Sequence, residues 1–156
     1  MPKKAGHRSW AARGQRVSGG HSGDIMSPET RSRVMSRIRG KDTGPERLLR
    51  DALTEEGLSF EQHAGDLAGR PDFVFREARV VIFVDGDFWH GWRFPLWQHK
   101  LSPDWRTKIA NTRSRDRRNH RKLRRHHWTV VRIWEHQLEH SVESCVARVI
   151  DALNAS

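Results

Sequence analysis

One cysteine, Cys145, stands in a chain of 156 residues. That excludes a disulfide framework and any zinc ribbon built from several thiolates. No apolar run approaches the ~20 residues that a bilayer-spanning helix needs. The opening residues, MPKKAGHRSWAARGQ, are basic but lead into no apolar segment, so no secretory signal is read there. Acids are in deficit: 19 Asp plus Glu stand against 29 Lys plus Arg, a formal charge of +10. These deficits predict a soluble, cytoplasmic protein in a reducing compartment, with no membrane partner. The length predicts one domain with a single core, extended by a tail.

What is there is unevenly spread. Residues 106–125 hold ten Lys or Arg against one acid, and residues 1–25 hold five against one; the rest of the chain is mildly acidic. Cations packed so densely repel one another unless a polyanion meets them, and nucleic acid fits that role. A merely solvated helix face is the plainer alternative.

Residues 1–26 are rich in Gly, Ser, Lys and Arg without apolar period and read as a disordered basic tail. Organisation begins at Met26, which is also a candidate start. Ser27-Pro28-Glu29 signals a helix with a stripe of Val34, Met35 and Ile38. Thr43-Gly44-Pro45-Glu46 opens a second helix through a capping box, with Leu49 and Leu53 on its buried face and Gly57 at its end. Leu58, Phe60 and Gln62 alternate as a strand, Pro71–Phe75 is a second, and the apolar run Arg79–Asp85 a central third. An aromatic-rich insertion fills residues 86–104 and a long basic helix residues 105–126. Trp128–Trp134 is a fourth strand, with both tryptophans in the core. Ser141 caps a last helix striped by Val142, Cys145, Val146, Val149 and Leu153. Three strands predict an antiparallel meander, and the fourth, after a crossover helix, should lie parallel to the third. The result is a mixed α/β sheet flanked by helices.

Five features can carry chemistry. In Gly69-Arg70-Pro71-Asp72-Phe73, Asp72 opens a strand at a sheet end, where a carboxylate can hold Mg²⁺ or simply make a turn. Val84-Asp85-Gly86-Asp87-Phe88-Trp89-His90 follows the central strand; its acids can bind metal and His90 can act as a base, or the stretch is a turn before core aromatics. Asp116 shares a helix face with Ile109 and Leu123, which points it inward beneath the arginines, unless it pairs with Arg113 or His120. Glu46 lies on the same face as Leu49 and Leu53, and its capping-box role competes with a site role. Finally, Trp89, Trp92, Trp97 and Trp105 alternate with cations, as stacking or wedging side chains do, or form a hydrophobic plug.

These residues, in this order, resemble the very-short-patch mismatch repair endonucleases over about residues 27–153. The matching blocks are TRSRVMSRIRGKDTGPERLL, GLSFEQH, LAGRPDFVF, VVIFVDGDFWH, DWRTKI, RDRR and WTVVRIWE. The resemblance implies a restriction-endonuclease-like domain over residues 27–156 and Mg²⁺-dependent nicking of double-stranded DNA, 5′ to the thymine of a T·G mismatch left by deamination of 5-methylcytosine. It implies that Asp72 and the carbonyl of Val84 bind Mg²⁺, that His90 is the catalytic histidine, and that Glu46 organises metal-bound water. Phe88, Trp89 and Trp105 take the place of the wedge beside the mismatch. Arg113, Arg115, Arg117 and Arg118 are the DNA-binding cations of the basic helix. Asp116 joins the catalytic group. Asp85 replaces a family histidine, either as an added metal ligand or as a change that weakens activity. The family's structural zinc site falls here on Asp87, Trp92, Phe94 and His136, so structural zinc is expected to be absent. A monomer at the nucleoid is expected, with a repair polymerase or mismatch-repair proteins as further partners. A related endonuclease without mismatch specificity, or a non-catalytic nucleic-acid-binding protein, are the alternatives.

Overall fold

A computed structural model describes residues 43–156. The basic tail, the start at Met26 and the helix opened by Ser27 lie outside the described residues. The elements are α1 (Gly44–Glu55), β1 (Glu61–Gln62), β2 (Phe73–Phe75), β3 (Val80–Asp85), α2 (Phe94–Trp97) with a 3₁₀ turn (Gln98–Lys100), α3 (Pro103–Arg125), β4 (Thr129–Trp134), α4 (Glu135–His140) and α5 (Val142–Asn154). The sheet order is β1-β2-β3-β4. The first three strands pair antiparallel, and β4 runs parallel to β3 with Val80 opposite Thr129 and Asp85 opposite Trp134. The mixed α/β sheet expected from the sequence is therefore the one found.

Alternation along the strands feeds two cores. Phe73, Phe75, Val80, Ile82, Val131 and Ile133 pack against Leu49 and Leu53 of α1, Leu138 of α4, and Cys145, Val146 and Val149 of α5. Val74, Val81 and Phe83 point the other way, with Leu123 of α3. A third cluster joins the insertion to α3 through Phe88, Phe94, Trp97, Leu101 and Ile109. Among the described residues no helix is long and apolar enough to cross a membrane.

Several boundaries move, each for a local reason. The basic helix starts at Pro103, because Ser102 caps it, accepting from Trp105 N at 3.5 Å, and Pro103 suits the first turn. The first strand keeps only Glu61 and Gln62. Two short helices, α2 and α4, went unread, being under two turns with little periodicity to show. At α1 the capping box is not made: Thr43 makes no side-chain cap, and its hydroxyl instead donates to Glu46 Oε1 at 3.4 Å. Trp128 and Trp134 are half-buried rather than core; each carries a guanidinium on its ring, Arg79 at 5.6 Å and Arg132 at 4.1 Å.

Candidate active site

The C-terminal end of β3, the first turn of α1 and the middle of α3 enclose a cleft of ≈ 600 Å³. Its lining includes Glu46, Asp72, Asp85 and Asp116, the residues Val84 and His90, and also Phe88, Trp89 and Arg115. Trp105, Arg113, Arg117 and Arg118 do not line it. Acids 70 residues apart in sequence thus meet in one cleft, because β2 begins and β3 ends where α3 crosses the sheet.

Two carboxyls meet on one side. Glu46 is buried, held on α1 by the same face that buries Leu49 and Leu53. Asp72 Oδ2 accepts the backbone N–H of Val84 at 2.7 Å, which fixes the carboxyl across the β2–β3 pair. Burial, then the charge of Glu46, hold the Asp72 carboxyl well above the ordinary carboxylate value, against the opposing pull of the Val84 N–H. Crowded, desolvated acids are the donor chemistry a divalent cation takes. His63 Nε2 lies 3.5 Å from Glu46 Oε2, and donor atoms of Glu46, His63 and Asp72 all fall within 4.8 Å of one another. The residues present therefore fit a divalent cation.

The other side is a charge network. His90 Nδ1 lies 2.7 Å from Asp116 Oδ2, and His90 Nε2 lies 3.4 Å from Asp85 Oδ1. Arg132 donates from Nε to Asp85 Oδ2 at 2.6 Å and from a terminal nitrogen to Asp116 Oδ2 at 2.8 Å. Burial opposes a charge on His90, but Asp85 and Asp116 outweigh it, so its pKa is raised above 6.5. Asp116 is likewise desolvated yet held below the ordinary carboxylate value by His90 and Arg132. Asp116 does point inward, as its spacing with Ile109 and Leu123 required, but its partners come from β4 and the β3 loop, not from Arg113 or His120 on its own helix. Asp85 sits in an ion pair with Arg132 and beside His90.

Sequence reasoning missed Arg132 and His63. Arg132 had a signal: it is the one cation in an otherwise apolar strand, on the face opposite Val131 and Ile133. His63 had none, since a lone histidine in a loop is unremarkable until β2 is placed beside it.

The aromatics divide. Phe88 is only 2% exposed and stacks on Trp97 at 5.6 Å. It supports the cluster from beneath, whereas half-buried Trp89 and Trp105 meet edge to face at 5.7 Å nearer the surface. Lys108 Nζ lies 5.1 Å from the Trp105 ring. Arg115, Arg117 and Arg118 are exposed. Arg113 instead packs across Gly91, where an added Cβ would come within 2.6 Å of its Cδ, and its guanidinium lies over Phe94 at 5.4 Å. Gly91, at φ 72, is thus required twice over, by its left-handed backbone and by this close approach.

Of the four positions where the sequence resemblance would put a structural zinc site, Asp87 and His136 pair with each other, Oδ1 to Nδ1 at 2.7 Å. Trp92 packs at a tilt against His136 at 4.6 Å and Trp134 at 5.1 Å, and Phe94 joins the Trp97 cluster instead. Two ligating side chains and two aromatic rings without a ligand lone pair do not fit a tetrahedral zinc. Protein treated with EDTA is therefore expected to stay folded and to melt cooperatively; loss of near-ultraviolet circular dichroism on chelation would show that this clasp needs metal after all.

Comparison with known proteins gives one family. The family model described as DNA mismatch endonuclease Vsr matches residues 23–95. The type II nicking enzyme V.XorIIP of Xanthomonas oryzae pv. oryzae is 36% identical over 132 residues, 82% of this chain and 97% of that protein. The type II nicking enzyme V.NmeDIP of Neisseria meningitidis serogroup C is 32% identical over 133 residues, 83% of this chain and 90% of its own length. The DNA mismatch endonuclease Vsr of Escherichia coli K12 is 39% identical over 114 residues, 72% of this chain and 73% of the relative.

Proposed function

Since the chain belongs to the Vsr family and is a DNA endonuclease of the nicking type, we propose that it cuts double-stranded DNA at a T·G mismatch, 5′ to the thymine. The observation that carries this reading is the convergence of two unlike groups in one cleft. The Glu46–Asp72 pair is built for a cation, and the His90–Asp116 pair is built for a proton. Asp72 and the Val84 carbonyl would hold a divalent cation such as Mg²⁺, with Glu46 beside it to organise its water, and the ion would supply the positive charge that polarises the scissile phosphate.

The chain's own residues do the rest. Asp116 holds Nδ1 of His90, so that Nε2, which lies 3.4 Å from Asp85 Oδ1, is the nitrogen that takes the proton of the attacking water. Arg132 bonds both Asp85 and Asp116 and offsets one of their two charges, which lessens their repulsion of the phosphate. Exposed Arg115, Arg117 and Arg118 track phosphates along α3. Trp89 and Trp105 stack against bases at the lesion, where unstacking costs less than in matched DNA, and this difference is the source of selectivity. Trp89→Ala is expected to slow nicking of a T·G duplex by about 5- to 150-fold, the worth of about 1–3 kcal/mol of base stacking, with a smaller effect on binding to matched DNA. Single-turnover rates on the two duplexes check it.

The deciding assay uses a fluorescent duplex with one central T·G pair beside its matched control, with Mg²⁺ or with EDTA. Cutting of the T strand alone, only with metal, is expected. Relatives named as type II nicking enzymes favour a second reading, an endonuclease indifferent to the mismatch; equal cutting of both duplexes would select it. A mismatch-specific nick needs a repair polymerase to replace the thymine, and such a polymerase is the partner this reading implies.

A further inference from the structure

We propose that His63 is a direct ligand at the cation site of Glu46 and Asp72, and that its imidazole nitrogen makes this site favour Mn²⁺ over Mg²⁺. The inference rests on the reading of those two acids as the cation site.

Strand register places His63. Glu61 pairs with Val74 and Gln62 with Phe73. The pairing runs one residue further, with the N–H of His63 donating to the carbonyl of Asp72 at 3.1 Å. Residues directly opposite on antiparallel strands project to the same face. His63 is therefore the cross-strand neighbour of Asp72. The strand ends there: His63 adopts φ 54, a left-handed conformation that histidine visits more readily than most residues. On either side the segment is clamped by Arg76, which binds Glu61 and Asp66 together. The imidazole is thus carried on anchored backbone.

Distance and chemistry agree. His63 Nε2 and Glu46 Oε2 are 3.5 Å apart, longer than a good hydrogen bond. Donors bound to one octahedral ion at ~2.1 Å lie roughly 3 Å apart when adjacent and roughly 4.2 Å apart when opposite. Separations of up to 4.8 Å among donor atoms of Glu46, His63 and Asp72 close to those values with small rotamer changes. Mg²⁺ prefers oxygen and keeps its waters, whereas imidazole nitrogen suits transition ions. One nitrogen beside two carboxylates moves the preference toward Mn²⁺.

The test is Mn²⁺ binding to the full chain without DNA, followed by electron paramagnetic resonance, with Mg²⁺ as competitor. Wild-type protein should show ¹⁴N modulation of bound Mn²⁺ in electron spin echo spectra. His63→Asn tolerates a positive φ, so it keeps the backbone while withdrawing the nitrogen. It should lose the modulation and about 10-fold or more in Mn²⁺ affinity, with Mg²⁺ affinity changed less than about 3-fold. His63→Gln, checked like the first variant by thermal melting, should repeat the result. Modulation that persists in both variants, or an unchanged ratio of Mn²⁺ to Mg²⁺ affinity, overturns the role of His63. Asp72→Asn separates this from failure of the cation site itself: Mn²⁺ binding that survives Asp72→Asn would remove the underlying reading, while loss there with no effect at His63 removes only the proposal.

Discussion

Asp72→Asn is expected to abolish nicking, by about 10³-fold or more, while leaving DNA affinity within about 3-fold. The rate loss corresponds to ~4 kcal/mol of transition-state stabilisation, an ordinary magnitude for removing a Lewis acid from a phosphoryl site. Binding survives because the exposed cations of α3 are untouched. The same substitution carries a second signature. In the metal-free protein burial and Glu46 hold the Asp72 carboxyl well above its ordinary value of 3.8. The folded state therefore binds a proton more tightly than the unfolded chain. The associated stability is fully present below pH 3.8 and is lost as pH rises through the folded value. Above pH 3.8 the folded chain must either take up a proton at Asp72 or bury the ionised acid, a liability that a neutral amide lacks. Asp72→Asn should accordingly raise the melting temperature in EDTA, and divalent cations should stabilise wild type but not the variant. A variant that cuts normally, or that melts lower in EDTA, would contradict the assignment.

His90→Ala is the second large effect, with an expected loss of about 10²–10⁴-fold in single-turnover rate, the usual range for a positioned general base. Its pH dependence is more diagnostic than its size. Burial alone would depress the His90 pKa, but Asp85 and Asp116 raise it above 6.5, with Arg132 partly opposing them. A base works in its neutral form, which here is populated only above the raised value. Wild-type activity should therefore climb with pH through a midpoint above 6.5. Asp116→Asn removes the charge bonded to Nδ1 and should move that midpoint downward, as well as lowering the plateau rate. The stability term has the opposite trend to activity: His90 contributes most below pH 6.5 and its contribution is lost as pH rises through the folded pKa. A pH–rate profile for wild type and Asp116→Asn measures the shift. A midpoint that does not move would mean that Asp116 serves packing rather than His90.

The pairing of Asp85 with Arg132 bears on how such a site tolerates change. Asp85 stands where the family resemblance places a histidine. An extra buried carboxylate there would ordinarily be costly, by several kcal/mol if left unpaired. Arg132, from the parallel strand β4, lies 2.6 Å away and also reaches Asp116. The face of the guanidinium rests on Trp134, which in turn meets Trp92, over the Asp87–His136 pair. One continuous stack thus links the charge network of the cleft to the clasp that closes the loop.

Periodicity and end signals were enough to read the second to fourth strands, the long basic helix and the inward face of Asp116, because each depends on spacing within a single element, whereas the first strand shrank to Glu61–Gln62. Ser141 marks a helix start by local chemistry alone, whereas the basic helix, read from about residue 105, begins two residues earlier behind Ser102. The order of the sheet followed from connection lengths, since a hairpin permits antiparallel neighbours and a helical crossover a parallel one. The acids Glu46, Asp72 and Asp116 and the base His90 were legible as candidates from their position at element ends or on buried faces. The density of cations on one helix already named the class of ligand.

Tertiary structure decided everything that depends on register between elements. It paired His63 with Asp72, seated Arg132 between Asp85 and Asp116, and turned Thr43 from a helix cap into a donor to Glu46. It also separated Phe88, buried on Trp97, from Trp89 and Trp105 nearer the surface, although the three looked alike in sequence. Spacing along one chain fixes only which face of its own element a side chain takes. Which partner meets that face is set by how helices and strands dock, and a shift of one residue in strand pairing would exchange every neighbour across the site.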